Sequence, residues 1–147
     1  MGYDFNFWTL ILISRLYKLK ISQIEQKLIE KASIDREIDS IDNEIAINQN
    51  RINTATVEKL GSISDFMVLA MHKNTLKFHI QQLSQQKTTL QKQSETLSQE
   101  IIELQKESEQ YKYILEEEKK EKQKRALSLE ATEAEEFIQS KYIGAAS

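Results

Sequence analysis

Residues 69–111 read LAMHKNTLKFHIQQLSQQKTTLQKQSETLSQEIIELQKESEQY, and within them Leu69, Leu76, Leu83, Leu90, Leu97 and Leu104 fall at seven-residue intervals, with Tyr111 continuing the row. Residues seven apart return to the same face of a helix, so a leucine row of this length marks a coiled-coil seam. Ile80, Lys87, Ser94, Ile101, Ser108 and Leu115 fill the intervening positions and complete an alternating 3/4 spacing. Leucine takes the d positions, and the a positions are mixed. A seam of this kind is an interface for another helix, not a pocket.

The partner helix is expected earlier in the same chain. Ile34, Ile38, Ile41, Ile45, Asn48, Ile52 and Ala55 form a second 3/4 series, and Tyr17, Ile21, Ile24 and Leu28 form another. A 3-3 step through Lys31 joins them, a stammer that overwinds the helix locally. The pattern predicts an all-α fold: a long antiparallel two-helix coiled-coil hairpin whose second helix is longer than the first. Setting a-type residues against d-type residues puts Ile38 beside Leu83, Ile41 beside Ile80, Ile45 beside Leu76, Ile52 beside Leu69 and Ala55 beside Phe66. That alignment centres the turn between Leu60 and Gly61. Glycine ends a helix in a left-handed conformation at little cost. The apolar repeat also admits turn centres half a heptad to either side. Ser62 followed by Asp65 fits a capping box for the second helix, and Ile63 with Val68 fits a hydrophobic staple equally well. The expected layout is a single coiled-coil rod over residues 1–147: a first helix over about 7–56, a turn over about 57–64, and a second helix over about 65–140 with a partner-free overhang from about 118.

Charge and composition agree. Asp35, Glu37, Asp42 and Glu44 flank the first stripe, and the stretch expected opposite carries Lys73, Lys77 and Lys87. Exposed pairs of this sort contribute only ~0.2–1 kcal/mol each, so they select register more than they hold the fold. With 29% charged residues, 7% aromatic residues, three glycines and no proline, the chain lies near the helix-rich extreme of soluble composition. One stripe per helix leaves no room for a globular core. The absence of cysteine excludes a disulfide framework and suits a reducing compartment, here the cytoplasm.

Both ends carry apolar residues that the stripes do not absorb. Phe7, Trp8, Leu10, Ile11, Leu12 and Ile13 precede Arg15, Lys18 and Lys20. That run is less than half of the ~20 residues a spanning helix needs, and no basic segment precedes it. The expected role is an aromatic plug in which Trp8 meets Tyr113 and Leu10 meets Tyr111. Membrane contact would be peripheral at most. At the other end, Glu116 to Arg125 is a mixed charge run suited to i, i+4 pairs such as Glu116–Lys120 and Glu118–Lys122. Leu127, Leu129, Phe137, Ile138, Tyr142 and Ile143 then lie beyond any partner in the first helix. They form a frayed tail or a docking segment.

No catalytic constellation is present, and no cofactor is implied. His72 and His79 are seven residues apart on one helical face, about 10 Å along the axis, too far to share a metal. Phosphate loops, nucleophile elbows and paired metal-ligand motifs are missing. The segment upstream of the leucine row, Asn53 to Phe66, holds one lysine and no arginine, so it is no basic zipper. A net charge of −3 argues against nucleic acid as a partner. The chain reads as non-enzymatic.

Three stretches resemble the flagellar type III export protein FliJ and its injectisome (YscO-like) relatives, small cytosolic two-helix coiled coils. Phe7 to Leu28 resembles the family's opening, an aromatic-aliphatic start followed by a basic residue and an E-x-x-L element at Glu25 to Leu28. Leu60 to Ser64 with Phe66 and Met67 resembles its helix break and restart. Glu130 to Tyr142, with Glu133, Glu135, Glu136 and Phe137, resembles its acidic-aromatic ending. The resemblance implies a stalk that inserts its open end into an export ATPase ring, touches the export gate protein, handles substrate chaperones and is monomeric when free. It implies an ATPase-facing end at Phe7, Trp8, Ile11, Tyr111 and Tyr113, a gate-facing surface at Phe66, Ala70 and Lys73, and a tail contact at Phe137, Ile138 and Tyr142. Met71, His72 and Lys77 depart from the family's pattern near the gate-facing surface. Two other readings are a homo-oligomeric coiled-coil scaffold or tether, with the leucine row pairing between chains, and a prefoldin-like chaperone subunit. Against the second, residues 53–66 are poor in the alternation a β-hairpin needs.

Overall fold

The computed structural model describes residues 6–56 and 62–146. Two helices make up almost all of it: α1, Phe7–Thr54, and α2, Ile63–Ala146. They pack against each other as an antiparallel hairpin, the second of 84 residues and the first of 48. Each starts with a side chain that satisfies backbone N–H groups left over at a helix N-terminus. Asn6 Oδ1 accepts from Thr9 N and Thr9 Oγ1, both at 2.8 Å. At α2 the capping box forms: Asp65 Oδ2 accepts from Ser62 N at 3.0 Å and Ser62 Oγ accepts from Asp65 N at 3.3 Å. Ile63 is 81% exposed, so the staple alternative is not used. α1 ends two residues before the expected boundary, and α2 starts two residues before its own. The expected turn centre, with Gly61, lies outside the described residues.

The helices group into two compact units, α1 through Gln23 with α2 from Leu104, and Ile24–Glu103. In the second, Ile24, Leu76, Leu83, Leu97 and Ile101 are buried, with Ile34, Ile38, Ile41, Ile45, Ile52, Leu69, Ile80 and Leu90 half-buried around them. In the first, Ile13 is buried and Leu104 half-buried. The expected seam residues from Ile34 to Ile52 and from Leu69 to Leu104 are therefore turned inward, and Leu28 is not.

The alignment along the seam differs from expectation by one heptad. Asp35 Oδ1 accepts a hydrogen bond from Ser94 Oγ at 2.7 Å, seven residues beyond Lys87, which the expected alignment would have offered at that position. Lys87 Nζ reaches Asp42 Oδ1 at 2.6 Å, and Lys27 Nζ reaches Glu100 Oε2 at 2.5 Å. Side chains as short as Asp and Ser cannot bridge the ~10 Å rise of seven residues. These bonds place Ile38 beside Leu90, Ile45 beside Leu83 and Ile52 beside Leu76. The expected pairs Ile38–Leu83, Ile41–Ile80, Ile45–Leu76, Ile52–Leu69 and Ala55–Phe66 are not formed. A heptad of apolar residues fits itself equally well after a shift of seven, so polar groups decide. In the observed alignment Lys27 meets Glu100, Asp35 meets Ser94 and Asp42 meets Lys87; one heptad earlier Asp35 would have met Lys87, but Lys27 would have met Gln93 and Asp42 would have met Ile80, leaving two of the three without a polar partner of opposite charge.

The stammer is absent as well. Leu28 is 48% exposed and Lys27 takes the inward position, with Lys31 and Lys20 on the same stripe. The stripe Leu10, Ile13, Tyr17, Lys20, Ile24, Lys27, Lys31, Ile34 keeps unbroken 3/4 spacing into Ile38. Lysine serves at such positions because its methylene stem lies along the apolar surface while its ammonium reaches water or a carboxylate.

Candidate interaction surfaces

Polar side chains interrupt the seam at places that sort the two helices. Asn48, Ser94 and Ser108 are at most 9% exposed. Ser108 Oγ donates to the Gln105 carbonyl at 2.9 Å, so its hydroxyl is satisfied within its own helix. A polar residue at a seam position lowers stability and raises the cost of wrong alignments. In the unit holding the helix start, Lys20 Nζ pairs with Glu107 Oε2 at 2.6 Å. In the other, His79 Nε2 lies 3.1 Å from Glu44 Oε1, so this histidine, expected only as surface, has a cross-helix partner.

Two kinds of titration follow. Lys31 donates to Asp35 Oδ2 at 2.8 Å, and this bond, helped by the one from Ser94, holds the Asp35 carboxyl below the ordinary 3.8. The hydrogen bonds to Glu107 and Glu100 raise Lys20 and Lys27 above the ordinary 10.5, outweighing partial burial. A depressed carboxylate contributes stability above its unfolded pKa and loses it as pH falls through the lower folded value. A raised lysine contributes below its unfolded pKa and loses it as pH rises through the higher folded value. The melting temperature is thus expected to hold level at neutral pH and to fall both in acid, below 3.8, and in alkali, above 10.5. Asp35→Asn should make the acid limb shallower in melts followed by circular dichroism. An unchanged acid limb would remove Asp35 from this account.

The aromatic plug expected at the helix start does not form. Phe7 and Trp8 pack edge-to-face at 6.1 Å and remain 69% and 76% exposed, and Tyr113 is 57% exposed. Ile11 and Tyr111 are half-buried. The alignment sets Tyr111 opposite Tyr17 and carries Leu10 to Glu118, about a heptad beyond the tyrosines, so the five residues expected as one ATPase-facing cluster fall into two groups. Glu118 is largely buried; its Oε1 accepts from Arg125 Nη2 at 3.4 Å, and its Oε2 has no partner. The charge run pairs as Glu117–Lys120 and Glu118–Arg125, in place of the expected Glu116–Lys120 and Glu118–Lys122.

At the start of α2 the heptad shift uncovers an apolar cluster. Ile63, Phe66, Met67, Val68 and Met71 are each more than half exposed, because Ala55 now meets Lys73 and α1 does not reach them. Of the three residues expected to face the gate, Phe66 and Ala70 belong to this exposed face and Lys73 is half-buried on the seam. Phe137, Ile138 and Tyr142, the expected tail contact, are 68%, 65% and 79% exposed. Every residue from Lys122 to Gly144 is exposed. The sequence pointed to Phe66 and Ala70 on this face but not to the full cluster, whose signal was the crowding of Ile63, Phe66, Met67, Val68 and Met71 on successive turns.

The surface grooves, such as the one lined by Glu37, Ser40, Ile41, Gln86, Thr89 and Leu90, are open troughs beside the seam. No group of three or more His, Cys, Asp or Glu close enough to hold a metal occurs among the described residues, and no described helix is long and apolar enough to cross a membrane. Comparison with known proteins finds no relative: no family model, no curated protein and no solved structure matches the chain.

Proposed function

We propose that this chain is the non-enzymatic coiled-coil stalk of a type III, flagellar-type protein export apparatus. It would act in the cytoplasm, peripheral to the inner-membrane machinery. The observation that supports the reading is a two-helix hairpin with solvent-facing apolar clusters at the start of each helix: Phe7 and Trp8 on α1, and Ile63, Phe66 and Met67 on α2. Exposed apolar patches away from any pocket mark contacts with other proteins. The Phe7–Trp8 end would face the export ATPase ring, the α2 start would face the export gate protein, and the tail is a further surface for substrate chaperones.

The test is co-purification with an export-type ATPase, with ring assembly and ATP hydrolysis as readouts. Phe7→Ala with Trp8→Ala should abolish both effects while leaving helicity unchanged, since both side chains lie mostly in water. A full-length chain that leaves the ATPase unbound, or a double variant that binds like the parent, would overturn the assignment. A homo-oligomeric scaffold is the second reading. It is favoured by the long exposed tail of α2, not by the leucine row, which α1 of the same chain already covers.

A further inference from the structure

The tail of α2 is helical to Ala146, although every residue from Lys122 to Gly144 is exposed. Leu127, Leu129, Phe137, Ile138, Tyr142 and Ile143 are each 60% to 79% exposed. A helix segment with this much apolar surface in water is the half of an interface.

Its charge pattern selects the occupant. Lys119 to Arg125 carries five bases and one acid, Glu121, while Glu130 to Glu136 carries four acids and no base. Leu127, Ser128 and Leu129 lie between the blocks. A helix with a basic block, an apolar centre and an acidic block is complementary to itself when reversed. Laid antiparallel about a two-fold axis near Ser128, the basic block of each copy faces the acidic block of the other, and both copies gain the match. Leu127 of each copy then lies level with Leu129 of the other. In the same alignment the far end of the tail also finds a place. Tyr142 and Ile143 of one copy reach Tyr113 and Ile114 of the other, where Tyr113 is 57% exposed and lines an open groove with Glu109, Gln110 and Ile114. Lys141, the one base between Glu130 and Ser147, arrives within a turn of the carboxylates of Glu116, Glu117 and Glu118. A parallel pairing would set like blocks side by side and is opposed by repulsion.

We infer that the occupant of the tail is a second copy of this chain, held by antiparallel pairing of residues 113–143. The contacts inside the basic block do not compete strongly: Lys120 and Arg125 are 69% and 62% exposed, and they reach Glu117 and Glu118 only at 3.5 and 3.4 Å. This pairing does not rest on the proposed export role: it is argued from residues of α2 alone, and it gives the tail to a second copy in place of a substrate chaperone.

Multi-angle light scattering on the full chain tests it. At low salt the mass should be twice 17.2 kDa, returning toward the monomer as salt approaches about 1 M, where the Debye length falls to ~3 Å. Two charge variants make the test specific: Lys120→Glu with Lys124→Glu, and Glu133→Lys with Glu136→Lys. Each alone should dimerise more weakly by roughly tenfold or more, with helicity kept. Mixed together they should form a heterodimer, because each then offers what the other lacks. The chain has no native cysteine, so Ser128→Cys should give a symmetric interchain disulfide under mild oxidation. A monomeric parent at low salt overturns the inference, as does a dimer that both charge variants retain. Failure of the mixture to associate would do the same. ATPase binding by the parent can be present or absent in any of these cases, so the two proposals fail separately.

Discussion

Replacing Leu83 and Leu97 together by aspartate is expected to remove most of the helical signal at micromolar concentration. The two side chains are 4% and 7% exposed and lie at the centre of the leucine row. Losing each leucine from a packed site costs about 2–5 kcal/mol, before counting the charge put in its place. A domain of this size holds only about 5–15 kcal/mol in total, so two such changes exhaust it. The helices cannot persist alone, because most helical stability in proteins comes from packing an apolar face. Leu127→Asp with Leu129→Asp is the matched comparison: those leucines are 66% and 60% exposed, and helicity should survive. A Leu83/Leu97 variant that melts like the parent would show that the row is not the structural seam.

The second large effect concerns alignment. Cysteines placed at Ile45 and Leu83 are expected to close an intramolecular disulfide nearly completely, and cysteines at Ile45 and Leu76 to close almost none. The two partners differ by one heptad, about 10 Å of helix, and a disulfide tolerates Cα separations only to about 7 Å. The ring would enclose the whole hairpin turn, and a loop of that length stabilises by about 4 kcal/mol, enough to raise the melting temperature despite two lost aliphatic side chains. Thiol titration and the melting temperature of the oxidised chain both report it. Closure at Ile45 and Leu76 in place of Leu83 would restore the alignment that centres the turn at Leu60.

That alignment is where reading the sequence stopped short. Helix class, the order and unequal lengths of the helices, the Ser62–Asp65 cap and the inward face of the seam residues from Ile34 to Ile52 and from Leu69 to Leu104 were legible, because each follows from local spacing. The heptad shift was not, because isoleucines and leucines repeat every seven residues and match equally well after sliding by seven. The deciding groups, Asp35 with Ser94, Lys87 with Asp42 and Lys27 with Glu100, are visible only as pairs. Lys20, Lys27 and Lys31 were hidden for a different reason: a lysine on a stripe reads as an interruption, and the stammer through Lys31 was the consequence of treating it so. The exposed cluster from Ile63 to Met71 is a consequence of the same shift, since only the expected alignment covers Phe66 with Ala55.

The polar residues of the seam have a consequence for how errors in this chain would look. Exchanges among leucine, isoleucine, valine and methionine along the stripes change only the strength of the hairpin. A change such as Ser94→Leu or Lys87→Leu would strengthen it and at the same time erase a mark that tells one helix where to stop against the other. The product would be fully helical and harder to melt, yet drawn from a mixture of offsets, with a different set of residues bared at the tip in each. Such a defect would pass every measure of foldedness and be detected only by whatever must grip the tip.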